Sequence, residues 1–172
     1  MKTELIPYLR IIHIVAATFW VGANVFMAFF IYPAIKKSDE SGGEFSKALA
    51  STNNFPLWMN LSALLTLLSG ISLIGILSQG FSASYFIPAN GMGLAIGGLL
   101  AIAAFFHGFF YIRPCGIKLA EIGKNISSGK LKMNSELKNT ILELNNSIAS
   151  STIKESVLLV SSLLLMIISK YL

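Results

Sequence analysis

Two histidines, His13 and His107, lie inside apolar stretches that are each long enough to cross a lipid bilayer, and the chain has no others. An ionisable side chain at membrane depth is costly and usually marks a functional site. Imidazole ligates haem iron and copper and can carry a proton. It can equally hydrogen-bond a neighbouring helix. Both histidines are therefore candidate metal ligands, with helix packing as the alternative.

The face of the first apolar stretch that carries His13 also carries Trp20, Asn24 and Met27 at helical spacing. Two polar side chains on one stripe predict that this face looks into a helical bundle. Arg10 lies one turn from His13, where it would reach the interface or pair with an anion such as a haem propionate. We therefore predict a cofactor site that includes His13, Arg10, Trp20 and Asn24.

The helical rise separates the two histidines by about 19 Å along the membrane normal, which excludes both as axial ligands of one haem in one chain. Thioethers are alternative ligands, and thioether or thiolate with imidazole also suits copper. Met92 and Met166 share the predicted depth of His13. The depth of His107 is shared by Met27, Met59 and Cys115. Each methionine could instead be packing filler.

Glu155 and Lys154 stand at the predicted start of the fourth apolar stretch. Acidic residues favour helix starts, so we expect Glu155 to be solvated or capping. A pair with Arg113 or Lys118 is the alternative. Serine–histidine–aspartate triads, paired carboxylates, phosphate loops and zinc spacings are absent from the apolar stretches, so no hydrolytic site is predicted there.

The composition is that of a membrane protein. Of the 172 residues, 54% are hydrophobic and 12% are charged, against about 25% charged in soluble domains. The single cysteine, Cys115, excludes an intrachain disulfide. We attribute the net charge of +5 to membrane orientation and anionic lipid contact, and expect the lipid bilayer, not nucleic acid, as partner.

Four stretches predict an all-α integral membrane four-helix bundle, a single domain over 1–172 with spans at about 7–33, 57–78, 89–112 and 153–171. The links after the first and third spans are rich in lysine, and the link after the second has no basic residue. The positive-inside rule therefore predicts a multi-pass protein of the cell (inner or plasma) membrane with both termini outside.

The polar segment at about 114–152 predicts an extended cytoplasmic helical hairpin between the third and fourth helices. Leu137, Ile141, Leu144 and Ile148 recur at helical spacing after the predicted N-caps Asn134 and Ser135. This apolar stripe would pack on a continuation of the third helix at 117–126, lie on the membrane surface or bind a partner.

Small residues line one face of the third span and predict close packing with a neighbouring helix: Gly93, Gly97, Ala101, Ala104 and Gly108. We expect the counterpart on the second span, which offers Ser62, Thr66, Ser69 and Gly70. No internal sequence repeat is predicted.

The opening stretch, LRIIHIVAATFWVGA at 9–23, resembles the first helix of the CopD-like and HemJ-like membrane protein group, which begins with a His-hydrophobic-Trp-x-Gly pattern. The second span carries LLTLLSG at 64–70, similar to the group's Thr/Ser-x-Gly helix. The third span ends on an aromatic–histidine pair, Phe106–His107, and a Lys–Glu pair, Lys154–Glu155, opens the fourth.

HemJ-type proteins are protoporphyrinogen oxidases that resemble b-type haem proteins, and CopD-like proteins are linked to copper uptake. The resemblance thus implies that His13 is a haem or metal ligand. The His-x-Lys pair of HemJ-type third helices is missing from 90–97, where Met92 is the remaining soft ligand.

These observations predict a haem b-binding redox protein with His13 as axial ligand. The alternatives are a non-catalytic subunit of a larger respiratory or metal-dependent membrane complex and a copper-handling membrane protein. We expect a homo-oligomer or a subunit of such a complex.

Overall fold

The computed structural model describes residues 4–38, 45 and 54–172, and these are all-α. Four helices are long and apolar enough to cross a membrane: α1 (Ile6–Lys37), α2 (Phe55–Leu77), α3 (Ala89–Ser127) and α4 (Ser135–Tyr171). A single helical turn, Ala83–Phe86, lies between α2 and α3. The helical prediction is confirmed, but α3 and α4 extend well beyond the spans predicted from apolar composition.

Local sequence explains where the helices begin and turn. Pro7 and Pro56 occupy the first turns of α1 and α2, where a missing N–H costs nothing. Asn134 caps α4 as predicted, because its side chain accepts the N–H of Leu137 at 2.7 Å. Gly129 supplies the positive φ of +71° in the turn between α3 and α4.

The helices pack as two antiparallel hairpins. Helix α1 lies mainly against α2 and α3 mainly against α4, while contacts between α1 and α4 join the two hairpins. Each helix contributes one residue to the central core, which consists of Trp20, Ala63, Ala104 and Leu159. Most other apolar side chains face outward, as expected for a bundle whose solvent is lipid.

The small residues of α3 face α4 and let the two helices approach closely. A Cβ at Gly97 would lie 2.9 Å from Cγ of Met166 and 3.1 Å from the Ser162 carbonyl oxygen. The Ser162 hydroxyl donates to the Gly97 carbonyl at 2.6 Å. The predicted close packing is confirmed, but its expected counterpart on α2 is wrong, because Gly70 of α2 faces α1 instead.

Two π-helical turns interrupt the α-helices, one in α1 (Met27–Ile31) and one in α3 (Gly108–Ile112). In each, the residue after the turn donates its N–H to the carbonyl five residues earlier. A proline lies two residues after the last residue of each turn, Pro33 and Pro114. Since a proline ring crowds the carbonyl four residues before it, we attribute the wider turns to the prolines.

The two π turns also share a sequence pattern that was not predicted. Residues 29–33 read FFIYP and residues 110–114 read FYIRP. The first two aromatic side chains are similarly exposed in the two helices, 55% and 63% for Phe29 and Phe30 against 62% for both Phe110 and Tyr111. This similarity is confined to five residues at the two turns, and the expectation of no internal repeat stays a prediction.

The polar region between α3 and α4 continues both helices. Residues Arg113–Ser127 extend α3, and α4 begins at Ser135. The two extensions contact each other, and Ile122 and Leu144 line a groove between them. An extended cytoplasmic hairpin stays a prediction.

Replacing Gly97 with valine should destabilise the bundle, because the new side chain would meet the α4 backbone. Gly116→Val on the same helix is the matched control, since nothing lies within 4 Å of a Cβ there. Both variants replace a glycine at a helical position, so the difference between their stabilities reports the packing contact alone. We expect Gly97→Val to be less stable than the control by about 1–3 kcal/mol, measured by thermal unfolding in lipid nanodiscs. Equal stability would contradict the observed contact.

Candidate functional site

His13 is held against α2 by a hydrogen bond to the backbone. Its Nδ1 lies 2.9 Å from the Thr66 carbonyl oxygen and 3.3 Å from Oγ of Ser69. A carbonyl oxygen can only accept, so Nδ1 carries a proton, and in the neutral imidazole Nε2 then carries the lone pair. The Nε2 atom makes no hydrogen bond to any residue that the structure describes. The ring is therefore oriented through one nitrogen and free to ligate through the other.

A glycine makes room for the ring. A Cβ at Gly70 would lie 2.9 Å from Cε1 and 3.2 Å from Nδ1 of His13. Real Cβ atoms do not approach so closely, so any larger residue at this position would displace the imidazole. The crossing of α1 and α2 is thus built around this side chain.

The other residues predicted to surround His13 are dispersed. Arg10 is exposed, as its predicted interfacial place requires. Met92 is 48% exposed, and Met166 packs on Gly97 between α3 and α4. His13 lies between α1 and α2, so the structure places the predicted thioether partners at other helix surfaces.

Glu155 is buried rather than solvated, which corrects the sequence-based expectation. It is 5% exposed and lies twenty residues into α4, which begins at Ser135. Its carboxyl rests on α3, where a Cβ at Gly108 would lie 2.9 Å from Oε2. The expectation failed because the fourth helix was predicted to start near residue 153, where an acidic side chain would have faced water.

Donors from α1 meet this carboxyl. The side chains of Trp20 and Asn24 hydrogen-bond Glu155, through the indole N–H and the amide N–H. The Ser156 hydroxyl donates to Oδ1 of Asn24 at 2.6 Å, which turns the amide group toward the carboxyl. Trp20 and Asn24 are both 3% exposed. The predicted inward face of α1 is confirmed, although its partner is a carboxyl group.

A second polar pair lies on the side of Glu155 toward the start of α4. The Tyr32 side chain, directly after the first π turn, hydrogen-bonds the side chain of Thr152. The Thr152 hydroxyl also donates to the Ile148 carbonyl at 2.8 Å. Tyr32 is also close enough to Glu155 to interact electrostatically.

The predicted cationic partners of Glu155 are occupied elsewhere. Arg113 lies over the ring of Phe109, with its guanidinium carbon 4.8 Å from the ring centroid. Lys118 lines the groove between the extensions of α3 and α4. Across residues 4–38, 45 and 54–172, no ion pair joins Glu155 to a cation.

His107 stacks on Tyr111 of its own helix, with ring centroids 4.9 Å apart. Its Nδ1 is buried and has no hydrogen-bond partner among the described residues. Of the methionines predicted to share its depth, Met27 is buried in α1, and Met59 packs on the central core. In the part of the chain that the structure describes, no three His, Cys, Asp or Glu side chains form a metal-binding group.

No protein family, curated protein or solved structure matches this chain. The functional conclusions below accordingly rest on the geometry of His13 and Glu155 and on the resemblance of the first helix.

Trp20→Phe should destabilise the bundle, because it keeps the ring in the core but removes the N–H that Glu155 accepts. We expect a loss of about 1–3 kcal/mol in unfolding free energy. Trp58→Phe is the matched control, since Trp58 is 55% exposed. In a double-mutant cycle, Trp20→Phe should lower the unfolding free energy less in the Glu155→Gln background than in the wild type. Additive effects of the two substitutions would show that the two side chains do not interact.

Proposed function

We propose that this protein is a membrane-embedded haem b-binding redox protein in which His13 is an axial ligand. The observation that supports the proposal is the hydrogen bond from Nδ1 of His13 to the Thr66 carbonyl. Metal-ligating histidines commonly donate their second ring N–H to such an acceptor, which fixes the ring and raises its basicity. The resemblance of residues 9–23 to the CopD-like and HemJ-like group adds independent support.

Haem would supply reversible one-electron transfer, and the chain would supply its binding and orientation. His13 would ligate the iron through Nε2. Arg10, exposed one turn toward the amino end, would pair with a propionate. Apolar side chains of α1 beside His13, such as Ile14 at 55% exposure, would cover the macrocycle.

The second axial ligand is proposed to come from outside this chain. Met166 packs on α3 and His107 stacks on Tyr111, so neither lies at the α1–α2 contact with His13. A second copy of the chain, a partner subunit or a water molecule would complete the coordination. This need favours a homo-oligomer or a place in a larger membrane complex. Copper handling has less support, because Met92 and Met166 lie on α3 and α4 and not at the α1–α2 contact of His13.

We further propose the orientation that the sequence predicts, with both termini outside and the extensions of α3 and α4 in the cytoplasm. Lysines are concentrated on these extensions and the turn between them: Lys118, Lys124, Lys130, Lys132 and Lys138. Such an excess of basic residues is typical of cytoplasmic segments.

Protein purified from membranes of haem-sufficient cells should show a Soret band, and an α band on reduction. His13→Ala should abolish both bands, because it removes the axial ligand. His107→Ala should leave them unchanged, since His107 lies on α3 and not at the α1–α2 contact that holds His13. Absence of both bands in the wild type, or their persistence in His13→Ala, would contradict the proposal.

Gly70→Ala should weaken haem binding without touching the ligand, because the new methyl group displaces the His13 ring. Loss of such second-layer support typically costs about 10- to 100-fold in affinity, measurable by haem titration of the apoprotein. Gly22→Ala on α1 is the control, since a Cβ there meets nothing within 4 Å. Equal affinities of the two variants would argue against His13 as the binding residue.

A further inference from the structure

The buried carboxyl of Glu155 has no part in the proposed haem site. The nearest charged residues along the other two helices that contact it are Lys36, twelve residues after Asn24 on α1, and Arg113, five residues after Gly108 on α3. At 1.5 Å per residue these separations place the carboxyl about 8–18 Å inside the charged ends of those helices. Glu155 is therefore buried against apolar parts of α1 and α3, next to the exposed Lys154 of its own helix.

Every group that faces this carboxyl from the neighbouring helices is neutral or a weak acid. Trp20, Asn24 and Tyr32 face it from α1, and Gly108 faces it from α3. Thr152 and Ser156 flank it on α4. The nearby bases are Lys154, which is exposed, and His107, which interacts with Lys154.

An ionised carboxylate in an apolar environment is costly unless a cation or several donors compensate. Glu155 has two neutral donors and no cation among the described residues. The donors support the charged form, and burial supports the neutral acid. This balance suits a group that changes its protonation state, whereas a permanent ion pair would hold it charged.

A metal cation fits the same site poorly. Asn24 presents its N–H to the carboxyl, while its oxygen accepts from Ser156. A donor hydrogen aimed at the site would repel a bound cation. The arrangement therefore favours a proton as the species that Glu155 binds.

The surroundings of Glu155 differ between its two sides along the bundle. Toward the start of α4 lie the hydroxyls of Tyr32 and Thr152, which can relay a proton. Toward the end of α4 lies the apolar core with Leu159 and Ala104, which are 2% and 0% exposed. The side toward the start of α4 is thus polar, and the opposite side is apolar.

The two π turns meet at this site. Gly108 opens the turn in α3, and Tyr32 directly follows the turn in α1. Such turns are found frequently at functional sites. They place Gly108 against the Glu155 carboxyl and Tyr32 beside Thr152, close enough to Glu155 to interact electrostatically.

We propose that Glu155 is a proton-binding site that takes up and releases a proton on the side of the membrane where α4 begins. The carboxylate oxygen gains the proton to form the neutral acid, and the reverse step returns it to the same side. No electron or other reactant is required, so the inference does not depend on haem binding.

Dicyclohexylcarbodiimide, which adds to neutral carboxylic acids, provides the test on the intact wild-type chain in lipid vesicles. Peptide mass spectrometry should locate an adduct on Glu155. At pH values where most of Glu155 is ionised, labelling should fall by about tenfold per pH unit, because the reagent needs the protonated acid. Glu143→Gln should label at Glu155 normally, since Glu143 is exposed. Absence of an adduct on Glu155 at every pH would overturn the proposal.

Sidedness is tested by setting the pH separately inside and outside vesicles in which the protein has one orientation. Labelling of Glu155 should follow the pH on the side where α4 begins. Tyr32→Phe should slow that response, because it removes the relaying hydroxyl. Labelling that follows the opposite bath would contradict the proposed access.

Infrared difference spectra of the wild type between acid and alkaline pH give a readout that needs no folded variant. A carboxylic-acid C=O band from a dehydrated environment should appear on acidification, and it should be missing in Glu155→Gln where that variant folds. A band of this kind that persists unchanged at every pH would show a permanently neutral, structural glutamate and would refute the proposal.

Discussion

The fold depends on one interaction, the contact of the Glu155 carboxyl with the side-chain donors of Trp20 and Asn24. A buried carboxylate in a membrane helix is costly, so the donors that α1 places beside Glu155 stabilise α4 in the bundle. The carboxyl also rests on Gly108 of α3, and the ring of Trp20 packs in the core with Ala63 of α2. This polar group thereby joins α4 to α1 and α3, and the Trp20 ring carries the contact on to α2.

The same principle recurs at the other end of α1, where a polar side chain again meets a glycine. His13 fills the space above Gly70 as Glu155 fills the space above Gly108. Without a hydrophobic driving force between helices in lipid, close approach and buried hydrogen bonds decide which faces pack. His13 thus specifies the α1–α2 pair and Glu155 the contact between the two hairpins, so the residues that could carry chemistry also determine the architecture.

The sequence predicted much of this arrangement, and the failures have physical causes. Helical periodicity correctly placed Trp20 and Asn24 on the inward face of α1, and the capping preference correctly placed Asn134 before α4. Glu155 was wrongly predicted to be solvated, because apolar composition shows where a helix enters the lipid and not where the helix begins. The acceptor for His13 could not be predicted, since a backbone carbonyl leaves no signature in residue types. The repeated π turns share too few residues to be recognised before the geometry is known.

The most direct test of this account is the indole N–H signal of Trp20 in the ¹⁵N-labelled protein. The chain has two tryptophans, so the indole signal that disappears in Trp58→Phe belongs to Trp58 and the remaining signal belongs to Trp20. A hydrogen bond to a buried carboxyl predicts that the Trp20 N–H resists exchange with deuterated water, responds to pH, and moves in Glu155→Gln. If it exchanges as fast as that of the exposed Trp58, and is unaffected by pH and by Glu155→Gln, the central interaction does not exist.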